Sequence, residues 1–375
     1  MESRQQKVHQ SILTRSSNLT NTEEYSEPIP VDLIIEIVSR LPEKSVARCR
    51  CVSKFWASIL SRQEFTETFL ARSLARPQLF SSFPHLSQNT DENSYVTANY
   101  HMNLPCERIY TVRHISGLVY IREHRILNGS KHVLVWKICN PITGQCFTLP
   151  EVKPHKGYSW ILTFFGYDPI EKQVKVLTIT WEHEGDNVIS NEHHVLTLET
   201  DKVSWRRIEC GAPHSPSHDG VCISGVLYYK ASEKAFSNAS MIVCFDVRSE
   251  KYNFIRVRES SSGAVHPTTT LINYNSKLAS LTTPTMSYFD EDGISFDMWV
   301  LQDPRKEEWS KHSYKLTVCR SYSFGVTGTN EIVFFRDSLS APFCVFYYNL
   351  ERKTIRRVQI RGMRKFEGKK IFKLF

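Results

Sequence analysis

Six aspartates in the C-terminal part of the chain are the residues best suited to acid–base chemistry, because a positioned carboxyl can give or take a proton: Asp168, Asp201, Asp246, Asp290, Asp292 and Asp303. Asp168, Asp201 and Asp246 recur at matching positions of strand–turn–strand repeats, where aspartate is favoured because it hydrogen-bonds the turn backbone. The serine-rich segment 260–263 lacks the strand context of a nucleophile elbow, and no GxxxxGK[ST] phosphate loop occurs. The sequence therefore predicts no catalytic residue.

Ten cysteines are the other reactive side chains, at positions 49, 51, 106, 139, 146, 210, 222, 244, 319 and 344. Because they are scattered through apolar runs of a 375-residue chain with no secretory segment, we expect buried reduced thiols in a reducing compartment. The close pair Cys49 and Cys51 has no second pair at zinc spacing, and His193-His194 adjoins no such pair. No metal or other cofactor is expected, and no apolar run reaches the length of about 18 residues that a membrane span needs.

The formal net charge is +8, and ten basic residues fall between Arg352 and Lys373. Such a cluster could attract nucleic acid or an acidic partner, or act as a nuclear address. We favour a strand over 354–360 with its arginines facing solvent, because Val358 and Ile360 continue an alternating pattern. Nucleic acid is therefore not an expected partner, and the nucleus and the cytoplasm are both expected locations.

Three short amphipathic helices are predicted between Pro28 and Leu74. The first follows Pro30 and has apolar residues at helical spacing: Leu33, Ile34, Ile37, Val38 and Leu41. The second, capped by Ser45, has a similar apolar face: Val46, Cys49, Val52, Phe55, Trp56, Ile59 and Leu60. About 45 residues with this much apolar surface are marginal as an independent domain, so either a partner or the following domain should cover part of it.

This segment resembles the F-box motif, and the match runs without gaps through Ile29-Pro30-x-Asp32-Leu33-Ile34-x-Glu36-Ile37, Arg40-Leu41-Pro42-x-Lys44-Ser45 and Arg48-Cys49-x-Cys51-Val52-Ser53-Lys54-x-Trp56. Ile29 is a departure, since the family more often has leucine before the proline, but a branched aliphatic of equal size should fill the same pocket. The resemblance implies helices that insert into a groove of the Skp adaptor and thereby join a cullin-RING ubiquitin ligase. Docking of this kind needs apolar anchors, which we expect to be Ile29, Pro30, Leu33, Ile34, Ile37, Leu41, Pro42, Val52 and Trp56.

Residues 1–25 are polar and should form a flexible tail, residues 26–74 hold the helices, and residues 75–375 should form an all-β domain. That domain repeats a strand, a polar turn and a second strand, in units that begin near residues 78, 115, 163, 220, 268 and 322. The spacing is typical of a propeller blade of about 40 to 50 residues. We therefore predict an α+β multidomain chain with a six-bladed β-propeller, although the first unit is poorly marked. A β-sandwich is the alternative, because spaced strands alone do not show closure.

The β region resembles the F-box-associated domain of plant F-box proteins in the motifs Asn140-Pro141-x-Thr143-Gly144, Gly166-Tyr167-Asp168-Pro169, Cys222-Ile223-x-Gly225-Val226-Leu227-Tyr228-Tyr229, Cys244-Phe245-Asp246-Val247-Arg248-Ser249-Glu250 and Tyr347-Tyr348-Asn349-Leu350. The resemblance implies that this domain is the substrate receptor. Its motifs are turn and strand-end signals, so they do not identify the substrate.

The rim of a propeller and the top of its channel are the usual docking surface. Loop aromatics there could anchor a substrate: Tyr158, Trp160, Trp181, Tyr288 and Phe289. For each of them, packing inside the fold is favoured over binding. The sequence thus predicts a non-catalytic substrate-recognition subunit of an SCF-type E3 ubiquitin ligase that recruits a protein target. The alternatives are a non-degradative scaffold protein that uses the same helices and, less favoured, a propeller enzyme.

Overall fold

A computed structural model describes the following residues: 29–41, 43–62, 64–65, 68–69, 85–86, 95–99, 109–115, 118–127, 131–140, 146–152, 160–184, 187–198, 203–233, 241–266, 269–282, 294–316, 323–327, 329–335 and 344–361.

The described part of the N-terminal segment contains the α-helices α1 (Val31–Val38), α2 (Glu43–Val52) and α3 (Lys54–Ile59). Pro30 precedes α1, and its carbonyl accepts the N–H groups of Leu33 at 3.1 Å and Ile34 at 3.2 Å. The predicted second helix is broken at Ser53, whose hydroxyl accepts the N–H of Trp56 at 3.3 Å and caps α3. Within the described ranges, no helix is both long and apolar enough to cross a membrane.

The helices share a small apolar core of their own, made by Ile34, Ile35, Val38, Val46, Ile59, Leu60, Phe65 and Phe69. Leu41, Cys49 and Trp56 are partly buried against it. The core fixes the orientation of α1, and therefore which of its side chains remain in water.

The β domain contains five four-stranded blades, preceded by two short strands, β1 (His85–Leu86) and β2 (Tyr95–Asn99). Blade 1 contains β3 (Ile109–Ile115), β4 (Leu118–Leu127), β5 (Lys131–Cys139) and β6 (Cys146–Thr148). Blade 2 contains β7 (Trp160–Asp168), β8 (Gln173–Glu184), β9 (Asn187–Thr197) and β10 (Arg206–Ile208). Blade 3 contains β11 (Ser215–Ile223), β12 (Val226–Ser232), β13 (Met241–Asp246) and β14 (Tyr252–Arg256), followed by a 3-10 helix (Glu259–Val265). Blade 4 contains β15 (Thr269–Tyr274), β16 (Lys277–Thr282), β17 (Ile294–Asp303) and β18 (Glu308–Leu316). Blade 5 contains β19 (Ser323–Val326), β20 (Glu331–Phe335), β21 (Cys344–Asn349) and β22 (Thr354–Arg361).

Within each blade the strands follow chain order and pair antiparallel. The first strand of each blade is the innermost, and β7, β11, β15 and β19 pack in sequence around an axis. Ile115 of blade 1 and Val326 of blade 5 line the same axial cavity, so the innermost strands of the first and last blades border one central space. The domain is therefore a β-propeller and not a β-sandwich.

The prediction of six blades was wrong, because the described strands of the unit expected to start near residue 78 belong to the sheet of blade 5. Strand β2 pairs parallel with β22, with Tyr95 opposite Gln359 and Thr97 opposite Arg361, and β1 pairs with β2. These strands therefore cover the outer edge of blade 5, where unpaired backbone groups would invite association with other chains. A strand pattern in sequence does not distinguish an edge strand from the start of a blade.

Strands inside the ring are apolar on both faces because each blade is packed between two neighbours. On β8, Val176 packs toward blade 1 in a cluster with Tyr120. The next residue, Leu177, points the other way and packs with Tyr229 of blade 3. This two-sided burial holds the ring together.

Three of the candidate carboxylates have turn roles. The carboxylate of Asp168 accepts the N–H of Ile170 at 2.9 Å, and that of Asp246 accepts the N–H of Ser249 at 2.7 Å. Asp303 accepts the N–H of Arg305 at 2.8 Å in the same way. The turn role predicted for Asp168 and Asp246 is confirmed. Asp201, Asp290 and Asp292 lie outside the described residues.

The expectation of reduced thiols was wrong for Cys139 and Cys146, which form a disulfide. The two residues lie directly opposite each other in the β5–β6 pair, with Cα atoms 4.1 Å apart. Cross-strand neighbours are close enough to bond, so the register of this hairpin brought the thiols together. Six described cysteines are free thiols: Cys49, Cys51, Cys210, Cys222, Cys244 and Cys344.

Candidate partner-binding surfaces

Helix α1 and the two residues before it present apolar side chains to water. Ile29, Leu33 and Ile37 are 61%, 52% and 56% exposed. Leu33 and Ile37 are four residues apart and lie on one side of the helix, and Ile29 precedes the helix by two residues. Ile34 and Val38, on the side that faces the helical core, are buried. The helix thus has two apolar faces, and only the inner one is covered in this chain.

Two further large apolar side chains are exposed where α2 meets α3. Val52 is 70% exposed and Phe55 is 56% exposed. The cap at Ser53 ends one helix and begins the next, so Val52 and Phe55 lie on either side of this break. Exposed apolar groups concentrated in one small region indicate an interaction surface.

The nine predicted adaptor-binding residues divide by exposure. Five are exposed: Ile29, Pro30, Leu33, Ile37 and Val52. Ile34 is buried, while Leu41 and Trp56 are partly buried against the helical core, and Pro42 lies outside the described residues. Phe55 was not among the predicted anchors, but its side chain is as exposed as theirs, at 56%.

A cavity of about 460 Å³ lies on the propeller axis and is lined by the innermost strands of all five blades. Its polar side chains are hydroxyls and amides: Thr163, Thr270, Asn273, Asn275, Ser276, Thr327 and Asn330. Every residue lining it in the described structure is of an uncharged type. A volume in this range can hold a small molecule or the side chains of a docked peptide.

Two titratable groups in the cavity wall are held neutral. The Tyr120 hydroxyl is buried without a hydrogen-bond partner in the described structure, and this burial raises the pKa of Tyr120 well above its ordinary value. Burial likewise raises the pKa of the Cys222 thiol, whose sulfur accepts the N–H of Tyr167 at 3.3 Å. A neutral thiol is a weak nucleophile, so this wall offers hydrogen bonding and apolar contact.

The cavity reaches the surface at two turns that hydrogen-bond to each other. The side-chain N–H of Asn330 donates to the Asn275 amide oxygen at 2.5 Å, and the backbone N–H of Asn275 donates to the Asn330 side chain at 3.2 Å. Both residues have positive φ, 50° and 60°, a conformation that asparagine tolerates better than most residues. The pair joins blades 4 and 5 at the cavity mouth.

The predicted substrate-binding aromatics differ in exposure. Trp160 and Trp181 lie opposite each other in the β7–β8 pair, with ring centroids 6.5 Å apart. Trp160 is 56% exposed, whereas Trp181 is 6% exposed and belongs to the core between blades 2 and 3. Tyr158, Tyr288 and Phe289 lie outside the described residues. The sequence predicts a propeller channel but does not identify the residues that line it, because the lining comes from strand ends in every repeat.

The chain therefore has two parts with surfaces suited to binding. One is a helical module with an uncovered apolar face, and the other is a propeller with an axial cavity. Residues 28–68 match the F-box domain, and residues 68–375 match the F-box associated beta propeller domain. The chain belongs to the F-box proteins with an associated β-propeller domain, and both predicted resemblances are confirmed.

Its relatives span both parts. F-box protein DOR of Arabidopsis thaliana is 48% identical over 391 residues, covering 98% of this chain and 96% of that protein. A second Arabidopsis thaliana F-box protein is 44% identical over 378 residues, covering 96% of this chain and 91% of its own length. Among solved structures, the β-propeller domain of the Trilobed protease from Pyrococcus furiosus has a TM-score of 0.38 and 12% identity over 66% of this chain and 69% of that one. A structural similarity this low supports no conclusion about this chain.

Proposed function

We propose that this chain is a non-catalytic substrate-recognition subunit of an SCF-type E3 ubiquitin ligase. The helical module binds a Skp-type adaptor, and through it a cullin-RING ligase. The propeller recruits a protein target and holds it near the ubiquitin-transfer machinery. Proximity of this kind can by itself supply much of a reaction's acceleration.

The outward apolar face of α1 is the observation that carries the proposal. Leu33 and Ile37 are more than half exposed on a helix whose other face is already packed, and Ile29, just before that helix, is also more than half exposed. Fully burying an aliphatic side chain of this size contributes about 1.5–3 kcal/mol, so covering all three in a groove is a strong driving force. The spacing is the one used when a helix docks in an apolar groove.

The propeller supports recruitment rather than catalysis. The described lining of its cavity is uncharged, and its thiol and phenol are held neutral. We place the target-binding region at the cavity mouth beside Asn275 and Asn330, with Trp160 as a candidate aromatic anchor.

The test is a reconstituted ubiquitination reaction with the full chain, a Skp-type adaptor and a cullin-RING core. Partners are first captured with the Leu33→Asp variant, which should keep the propeller surface and lose the ligase, so that bound targets accumulate. The captured partners are then offered to the complete complex. Ubiquitination that requires the wild-type chain supports the proposal. Partners that bind but remain unmodified would favour a scaffold role, and an unaltered complex with Leu33→Asp would place the adaptor contact elsewhere.

A further inference from the structure

Three potential metal ligands converge between blades 2 and 3. His193 lies on β9, and Cys210 and His214 lie in the connection from β10 to β11. One ligand atom from each residue lies within 4.8 Å of the others, and Cys210 Sγ is 4.0 Å from His214 Nδ1. Both histidines are fully buried, with 1% or less of their surface exposed. We propose that His193, Cys210 and His214 bind one Zn²⁺ ion that ties blade 2 to blade 3.

Each imidazole is oriented by a tyrosine hydroxyl. His193 Nδ1 is 2.6 Å from the hydroxyl of Tyr252, and its Nε2 is buried without a hydrogen-bond partner in the described structure. His214 Nε2 is 2.8 Å from the hydroxyl of Tyr229. Metal-binding histidines commonly use one ring nitrogen for the ion and fix the other with an outer hydrogen bond. The hydrogen bond with Tyr252 occupies Nδ1 of His193, so Nε2 is the nitrogen that binds the ion. The hydrogen bond with Tyr229 occupies Nε2 of His214, so Nδ1 is the nitrogen that binds it.

The Cys210 thiol and His214 Nδ1 both donate a hydrogen bond to the same carbonyl oxygen, that of Ala212. The Cys210 thiol donates to the carbonyl of Ala212 at 3.4 Å, and His214 Nδ1 lies 2.9 Å from the same carbonyl. Because a carbonyl only accepts, His214 Nδ1 carries a proton in this arrangement. When Zn²⁺ binds, the thiol proton leaves to solvent and the His214 proton moves to Nε2, where it is donated to Tyr229. One proton is released for each ion bound.

The donor set selects the metal. Imidazole nitrogen and cysteine sulfur are the ligands that Zn²⁺ uses, whereas Mg²⁺ and Ca²⁺ take oxygen. With Zn–S near 2.3 Å and Zn–N about 2.0–2.1 Å, neighbouring ligand atoms of a tetrahedral site lie roughly 3.3–3.6 Å apart. The widest separation in the cluster, at most 4.8 Å, therefore needs to close by no more than about 1.2–1.5 Å.

The sequence expectation of no metal depended on the lack of paired cysteines at zinc spacing. Cys210 and His214 form a Cys-x-x-x-His pair, which was the available signal. The third ligand, His193, lies on β9, which precedes β10 in the chain. It reaches the pair only because blade 2 packs against the connection from β10 to β11.

The test uses the full chain without a histidine tag, stripped with chelator and then dialysed against Zn²⁺ or Co²⁺. We expect about one Zn²⁺ per chain by elemental analysis, and a raised melting temperature because the ion binds only the folded state. Co²⁺ should give a thiolate charge-transfer absorption. Cys210→Ser should abolish that absorption, and Tyr252→Phe should weaken metal affinity about 10- to 100-fold by freeing the His193 ring.

Two neighbours provide matched controls. Cys222→Ser alters another partly buried thiol of the same blade, and His194→Gln alters the residue beside His193, whose side chain lies on the other face of β9. Both should bind Zn²⁺ as the wild type does, whereas His193→Gln should not. Circular dichroism of the metal-free proteins checks that each variant folds. A well-folded wild type that binds no stoichiometric Zn²⁺, or binding that survives both Cys210→Ser and His193→Gln, would overturn the proposal.

Discussion

Asp168 of blade 2 and Arg248, which follows the third strand of blade 3, form a two-point ion pair. Arg248 Nε donates to one carboxylate oxygen at 3.0 Å, and a terminal nitrogen donates to the other at 2.9 Å. The Asp168 carboxylate is buried, although half of the arginine is in water. The hydrogen bonds from Arg248 hold the pKa of Asp168 far below its ordinary value. The Tyr-Asp-Pro and Asp-Val-Arg motifs of the sequence thus meet across a blade interface.

This pair predicts a pH dependence. A carboxylate whose pKa is lowered by folding stabilises the protein fully above its unfolded pKa, near 3.9, and that contribution is lost as pH falls through the folded value. Asp168→Asn should therefore lower the free energy of unfolding by a constant amount between about pH 7 and 5. The gap between wild type and variant should shrink on acidification below about pH 4. Urea denaturation at each pH measures the free energy of unfolding of the wild type and of Asp168→Asn.

Asp297→Asn is the control for that prediction. Its ion pair with Lys311 is a surface contact, with both side chains at least one third exposed, and such pairs contribute about 1 kcal/mol or less. A stability gap for Asp168→Asn that stays unchanged below pH 4 would contradict the account of Asp168 as a folded-state anion.

Gly166 should not tolerate alanine, because a Cβ at this position would lie 2.6 Å from Cγ2 of Val247. Val247 is completely buried between blades 2 and 3 and cannot move aside freely. We expect Gly166→Ala to cost about 1–3 kcal/mol of unfolding free energy, measured by urea denaturation. In a Val247→Ala background, which removes the opposing methyl groups, most of that cost should vanish.

Gly211→Ala provides the comparison, since no atom lies within 4 Å of the Cβ that it would add. It should change stability by about 0.5 kcal/mol or less. An equal cost for Gly166→Ala with and without Val247 would show that the strain arises elsewhere in the backbone.

The two tryptophans that face each other across β7 and β8 should respond differently to truncation. Trp181→Ala opens a cavity in the core between blades 2 and 3 and should cost about 3–5 kcal/mol. Trp160→Ala removes a side chain that is more than half exposed and should cost about 1 kcal/mol or less. Denaturant midpoints of the two variants test this, and similar losses would mean that Trp160 is a structural residue and not an available anchor.

The sequence predicted the order of the parts and the turn aspartates, because these follow from local spacing. It also selected Leu33 and Ile37, whose side chains are exposed, and their role as anchors stays a prediction. It placed Ile34 on the same face as Leu33, although neighbouring helical residues point about 100° apart, and the structure buries one and exposes the other. The blade count failed at β2, whose parallel pairing with β22 joins residues more than 250 positions apart. Long-range pairing also explains why the lining of the axial cavity and the approach of His193 to Cys210 were not predicted.

The central claim is that the outer face of α1 binds a Skp-type adaptor, and the affinity of the full chain for that adaptor tests it most directly. Leu33→Asp should weaken binding by about 100- to 1000-fold, because docking would bury a carboxylate in an apolar groove. Ile170→Asp, at an isoleucine 71% exposed on the turn between β7 and β8, should leave the affinity unchanged. Equal affinities for wild type and Leu33→Asp, with both chains folded, would contradict the account.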